Sequence, residues 1–172
     1  MNETLNSIFT RRSIRKFTDQ KISDDDLKLI AKAACYAPNG RNTERWQFTV
    51  IHNEEKIKKL AKAISKELNL DDSYNFYKPD ALIIASNSRD NKYGIEDCAC
   101  ALENIFLAAH SLGIGSVWIN QLNGICDCDG IRKILTEFEI PGDHLVWGMA
   151  ALGYSDNPRI RTNIKDCVKF VD

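Results

Sequence analysis

Ile95-Glu96-Asp97-Cys98-Ala99-Cys100-Ala101-Leu102-Glu103-Asn104-Ile105-Phe106-Leu107-Ala108-Ala109-His110-Ser111-Leu112 runs straight into Gly113-Ile114-Gly115-Ser116-Val117-Trp118-Ile119. The first eighteen residues read as a helix that is apolar nearly all round, and a helix of that kind must be buried on most sides. It also carries Glu96, Asp97, Glu103, Asn104 and His110. It is therefore a buried helix, not a membrane span, and no other run approaches the ~18 apolar residues a span requires. Gly113 stops it, and Ser116 to Ile119 reads as a strand. Pattern alone leaves two places for such a helix, the centre of a monomer core or the middle of a dimer interface.

Working outward, Asn2 to Thr10 has Leu5, Ile8 and Phe9 at helical spacing. Ser23 is an N-cap candidate, followed by Asp24 to Asp26 at the positive end of the dipole and by Leu27, Ile30, Ala31 and Ala34 on one face. That helix must end near the turn cluster Ala37-Pro38-Asn39-Gly40. Phe48 to His52, Ala81 to Ala85 and Leu145 to Leu152 read as strands, and Cys167 to Val171 as a weak edge strand. Glu54 to Leu68 and Gly130 to Phe138 read as helices. No internal repeat or low-complexity stretch interrupts them. The sum is an α+β or α/β domain of about five helices and four or five strands.

The 172 residues make one domain the default. A formal net charge of -1 gives no global reason to expect nucleic acid or an anionic membrane as a partner. The N-terminus has neither the basic nor the apolar region of a secretory signal. Six cysteines in a chain long enough to build its own core fit reduced thiols, and a cytoplasmic location is expected.

Any basic site must therefore be local, and Thr10-Arg11-Arg12-Ser13-Ile14-Arg15-Lys16-Phe17 supplies one, with Arg159 and Arg161 near the other end. Arginine forks bind phosphate oxygens in bidentate fashion, and a serine hydroxyl adds a donor. In an extended segment Arg11, Ser13 and Arg15 point to one side and Arg12 and Ile14 to the other. The competing reading is a solvated charged turn. Nucleic acid fits less well, because the patch is small and lacks interleaved aromatics.

Four segments together resemble the nitroreductase family of FMN-binding oxidoreductases. They are Arg11 to Phe17; Ala37-Pro38-Asn39-Gly40-Arg41-Asn42-Thr43-Glu44-Arg45-Trp46-Gln47-Phe48; Asp97, Ala101 and Asn104 leading into Leu112 to Ile119; and Ala151-Leu152-Gly153-Tyr154 before Pro158-Arg159-Ile160-Arg161. The resemblance implies one FMN-binding domain over residues 1–172. Its expected fold is α+β with three layers, a mostly antiparallel central sheet flanked by helices, and a C-terminal strand that is a candidate for exchange in a homodimer. It further implies NAD(P)H as co-substrate and ping-pong hydride transfer to nitroaromatic, quinone or related electron-poor acceptors. Arg11, Ser13, Arg159 and Arg161 would hold the FMN phosphate, Arg12 would help seat the flavin, and Arg15 would lie at the N1/O2 edge of the ring. Pro38, Asn39 and Asn42 would reach the ring from the partner subunit, and Ile119, Asn120 and Gln121 belong to the stretch passing its N5 side. No protein nucleophile is implied. Glu44-Arg45 and Asn120-Gln121 depart from the family pattern. The rival is a flavin-binding carrier, sensor or regulator without reductase turnover.

Other signals carry less. Gly113-Ile114-Gly115 follows a helix and leads into a strand, the reverse of a dinucleotide fingerprint. Cys98 and Cys100 would point in nearly opposite directions on a helix, so they cannot chelate together and read as apolar thiols; Cys126 and Cys128 are expected in an exposed loop. Asp127 and Asp129 are N-cap candidates rather than calcium ligands. His52, His110 and His144 have no nucleophile in context, and no metal site is expected.

Overall fold

The computed structural model describes residues 2–156 and 167–171. Among them are α1 (Glu3–Thr10), α2 (Asp24–Ala34), β1 (Trp46–Ile51), α3 (Glu54–Leu68), β2 (Ala81–Ser88), α4 (Gly94–Ser111), β3 (Gly115–Ile119), α5 (Asp129–Glu137) and β4 (His144–Gly153). Asn2, Ser23 and Asn53 start their helices with side-chain oxygens that accept the N–H groups of Leu5, Asp26 and Lys56.

The four strands form one antiparallel sheet in the order β1-β2-β4-β3. Alternation on β2 sends Leu82 and Ile84 to one face and Ala81, Ile83 and Ala85 to the other. The first face packs on Ile57, Leu60 and Ile64 of α3 and Ile131, Ile134 and Leu135 of α5. The second packs on Leu27 and Ile30 of α2 and Cys98, Ala101, Leu102 and Ile105 of α4. Helix, sheet and helix give the expected three-layer α+β fold. A bulge opposite Ala85 and Ser86 leaves Trp147 unmatched in the ladder. Beyond it Gly148 passes so close to α4 that a Cβ there would lie 2.7 Å from Leu102 Cδ1. No helix among the described residues is long and apolar enough to cross a membrane.

Some expectations change. β2 runs on to Ser88 because Ser86 and Asn87, though polar and buried, stay paired in the ladder and find side-chain partners inside: Ser86 donates to the Gln47 carbonyl and Asn87 Oδ1 accepts from Asn91 Nδ2. Cys167 to Val171 forms no strand among the described residues, and Phe170 is 90% exposed. Cys126 is buried rather than exposed, with its thiol donating to the Leu122 carbonyl and accepting from Val146 N; Cys128 is half-buried. Cys98 is buried, which pushes its thiol up to about 12, while Cys100 is exposed, so of these two only Cys98 is an interior thiol. Residue Cys128, without a capping side chain, starts α5 in place of either aspartate. Asp127 instead pairs with Arg89 and Arg132.

Two loops set the stage for the site. Asp80, at the foot of β2, is buried and accepts from Ile22 N at 2.7 Å, Lys21 Nζ at 2.9 Å and His52 Nε2 at 3.1 Å. These bonds tie the segment after Phe17 to the sheet. Just before it, Phe76, Tyr77 and Lys78 are three consecutive left-handed residues, with φ of 54°, 70° and 53°. For residues with side chains that conformation costs roughly 1–2 kcal/mol each. Burial of Phe76, edge-on to Tyr74 with ring centroids 5.2 Å apart, offsets part of it.

Burial opposes ionisation of Asp80, but the bonds from Ile22, Lys21 and His52 outweigh it and hold the carboxyl below its ordinary range. Asp80→Ala is expected to lose about 2 kcal/mol of stability at pH 7, because a buried N–H loses a charged acceptor. A depressed carboxylate pKa stabilises the fold above the unfolded value of about 4 and stops doing so as pH falls through the folded value. Denaturant midpoints of wild type and variant should therefore differ at pH 7 and draw together near pH 3.

Candidate functional site

The site begins where α1 ends. Arg11 caps α1, its N–H donating to the Ser7 carbonyl at 3.0 Å while its own backbone is already extended, with φ −53° and ψ 139°. Ser13 bridges Ser116 in parallel, and Ile14 N donates to the Ser116 carbonyl at 2.9 Å. Further on, Thr18 N donates to the Tyr154 carbonyl at 2.8 Å. The basic segment is thus laid along the outer edge of β3 and past the end of β4.

Strict alternation does not survive this geometry. Arg11 and Arg12 line the same cavity, of about 300 Å³, with Thr10, His110 and Ser116. The Arg11 guanidinium lies 5.8 Å from the centre of the Phe106 ring and 3.5 Å from Glu103. Arg12 donates through Nη1 to the Arg11 carbonyl, while its Nε is buried without a protein partner. A buried guanidinium N–H without an acceptor among the described residues, on a side chain that lines a cavity, can take one from a ligand. Ser13 sits beside the cavity on its bridge to Ser116, and Arg15 leaves it, with its guanidinium 5.9 Å from the centre of the Tyr77 ring. A larger depression of about 790 Å³ along α3 shares no lining residue with this cluster.

The second group of expected residues lies at the other end of α4. Gly40 N donates to Asp97 Oδ1 at 2.7 Å, and Asp97 Oδ2 accepts from Asn91 Nδ2 at 2.9 Å. Asn39 Oδ1 accepts from Glu44 N, and Arg41, Asn42 and Glu44 all have positive φ, so the loop carrying Pro38, Asn39 and Asn42 is tightly folded on Asp97. Arg45 forms an ion pair with Asp90 at 2.8 Å, which directs its charge into the loop after β2. Asp97 and the Phe106–His110 end of α4 are nine to thirteen residues apart, or about 13–20 Å at helical rise.

The third group follows β3. Ile119 is buried with its side chain in the α3–α5 core, leaving only its backbone for a ligand. Asn120 accepts from Trp118 Nε1 at 3.3 Å and its own N–H donates to Gln121 Oε1 at 3.1 Å. β3 is an edge strand, so its outer backbone groups beyond Ser116 face away from the sheet. Arg159 and Arg161 lie outside the described residues. Sequence reasoning missed His110, whose Nε2 is 2.8 Å from Thr10 Oγ1, and Tyr77 beside Arg15. Neither stands in a periodic or motif position that would have singled it out.

With this geometry in place, comparison with known proteins is informative. Residues 8–154 match the Nitroreductase family. A protein of Archaeoglobus fulgidus provisionally named NADH dehydrogenase/NAD(P)H nitroreductase is 37% identical over 159 residues, covering 90% of this chain and 86% of its own length. The crystal structure of a nitroreductase with bound FMN from Bacteroides fragilis superposes with a TM-score of 0.93 at 36% identity, over 100% of both chains. A nitroreductase with bound FMN from Desulfitobacterium hafniense gives 0.86 at 28% identity, again over 100% of both. The chain belongs to the Nitroreductase family.

Burial, followed by the Arg11 and Arg12 cations, holds His110 below its ordinary value of 6.5. Its ring is therefore neutral at pH 7 and becomes charged only below 6.5. In Arg11→Gln, which removes one cation, the His110 midpoint followed by NMR should move upward.

Proposed function

We propose that the chain is an FMN-dependent NAD(P)H oxidoreductase that works as a cytoplasmic homodimer on nitroaromatic, quinone or related electron-poor acceptors. The observation that carries the cofactor assignment is the cavity under Arg11 and Arg12, with a buried Arg12 Nε that no protein group satisfies. Two guanidinium groups, with Ser13 alongside, match a phosphate in charge and donor geometry. FMN, when bound, supplies the hydride chemistry that connects NAD(P)H to an acceptor.

The residues act by binding, orientation and charge. Arg11 and Ser13, with Arg159 and Arg161, hold the phosphate, and Arg12 seats the flavin beside it. The Glu103 carboxylate competes weakly for Arg11, since it is half-exposed and 3.5 Å away. Arg15 places a cation at the N1/O2 edge, where negative charge accumulates on reduction. Backbone groups of Ile119, Asn120 and Gln121 face the N5 side. Pro38, Asn39 and Asn42 close the site from the partner subunit, which the separation of the two residue groups along α4 favours. Apolar surface left open in one chain also favours the dimer: α1 buries none of its residues, and Leu5, Ile8, Phe9 and Ile95 are exposed. The exposed Val168 to Val171 segment is the strand we assign to exchange with the partner. All six cysteines are free, in keeping with a reducing cytoplasm.

The test is an anaerobic visible spectrum of FMN-reconstituted, desalted protein before and after NADH or NADPH. A flavin band that one nucleotide bleaches supports the reductase, and steady NAD(P)H oxidation with an added quinone or nitroaromatic extends the reading to the acceptor class. A band that neither nucleotide bleaches favours the carrier or sensor reading. No retained flavin removes the proposal. Arg11→Ala should weaken FMN binding about tenfold to a hundredfold, the loss expected for a charge-assisted phosphate contact.

A further inference from the structure

The loop between α3 and β2 holds its left-handed backbone at Phe76, Tyr77 and Lys78 without a single glycine. Lys78 adds to the conflict by preceding Pro79, a position where helical backbone conformations are disfavoured. Strain of this kind persists only where surrounding structure over-determines it, and it concentrates at functional sites. Here the surroundings are identifiable. Phe76 is buried in the α3–α5 core, Lys78 N donates to the Asn75 carbonyl at 2.9 Å, and Asp80 is fixed from Ile22, Lys21 and Leu152. Tyr77, between these anchors, turns outward and is 43% exposed. The contact it gains is with Arg15, whose guanidinium lies 5.9 Å from the ring centre.

We infer that Tyr77 is a positioning residue: its ring holds the Arg15 guanidinium where it favours the reduced, N1-anionic form of bound FMN over the oxidised form. This rests on the reading that places FMN in the site with Arg15 at its N1/O2 edge. Arg15 and Lys16 are both exposed, and an exposed arginine samples many rotamers. An aromatic face narrows that range through cation–π attraction without neutralising the charge, as a carboxylate partner would. A carboxylate there would cancel the positive potential the reduced ring needs, which gives a physical reason for the partner to be aromatic.

The test compares wild type with Tyr77→Phe, Tyr77→Leu, Tyr77→Gly and Arg15→Leu, measuring the ratio of affinities for reduced and oxidised FMN from the potential of the bound relative to the free flavin. Tyr77→Phe keeps the ring and should match wild type. Tyr77→Leu and Tyr77→Gly should lose about two- to fivefold of the preference for reduced FMN. Arg15→Leu should lose at least as much. Tyr77→Gly should do so without a lower thermal midpoint, because glycine relieves the positive φ; a residue kept only for the fold would destabilise the protein when removed. If Arg15→Leu lowers the preference while Tyr77→Leu and Tyr77→Gly leave it intact, the role of Tyr77 is overturned and the FMN reading stands. If Tyr77→Phe loses as much as Tyr77→Leu, the hydroxyl acts rather than the ring, and the proposal is overturned. If wild type binds FMN but Arg15→Leu changes nothing, the placement of Arg15 and the role of Tyr77 fall together. If wild type binds no FMN, the underlying reading has failed first.

Discussion

Helix α4 packed against the second face of the sheet is the contact on which the rest of the molecule depends. Ala101, Leu102 and Ile105 close on Ile83, Ala85 and Ala150, and Gly148 lets the helix and strand backbones approach. That contact fixes where both ends of the helix lie. Its N-terminal turn offers Asp97 to the loop at Gly40, and its C-terminal turns offer Glu103, Phe106 and His110 to the segment leaving α1. The Gly40 loop and the segment leaving α1 are therefore both set by one rigid element.

Polar groups inside this fold are arranged with the same consistency. Asp80 and Asp97 are both buried carboxylates, and each accepts a backbone N–H from a loop remote in sequence: Ile22 for Asp80 and Gly40 for Asp97. Each converts a flexible connection into a fixed one, since leaving such an acceptor unpaired in the interior would cost more than ordering the loop. The contrast with Arg12 is informative. Its buried Nε has no acceptor among the described residues, and its side chain lines a cavity.

Much of this was legible in the residues. The amphipathic spacing of Glu54 to Leu68 gave α3 its bounds, and the all-round apolarity of Ile95 to Leu112 marked the helix that ties the layers together. Ser23 and the aspartates after it marked the start of α2. β2 was underestimated, because Ser86 and Asn87 end the apolar run while their buried hydrogen bonds continue the strand. Cys126 was misjudged for the opposite reason: a cysteine between turn residues looks exposed until Val146 and Leu122 close over it.

The helices, the four sheet strands in outline, the basic segment at Arg11 to Arg15 and, through four ordered motifs, the family were readable in the residues, because periodicity and motif spacing are local properties of the chain. Tertiary structure alone decided that Arg11 and Arg12 share a cavity with His110, that Asp97 holds the Gly40 loop, and that Tyr77 meets Arg15. Those pairings join residues 57 to about a hundred positions apart for Asp97 and His110, and 62 for Tyr77. No local pattern encodes a contact of that range. It follows only once the two cores have fixed which surfaces of the helices and sheet face each other.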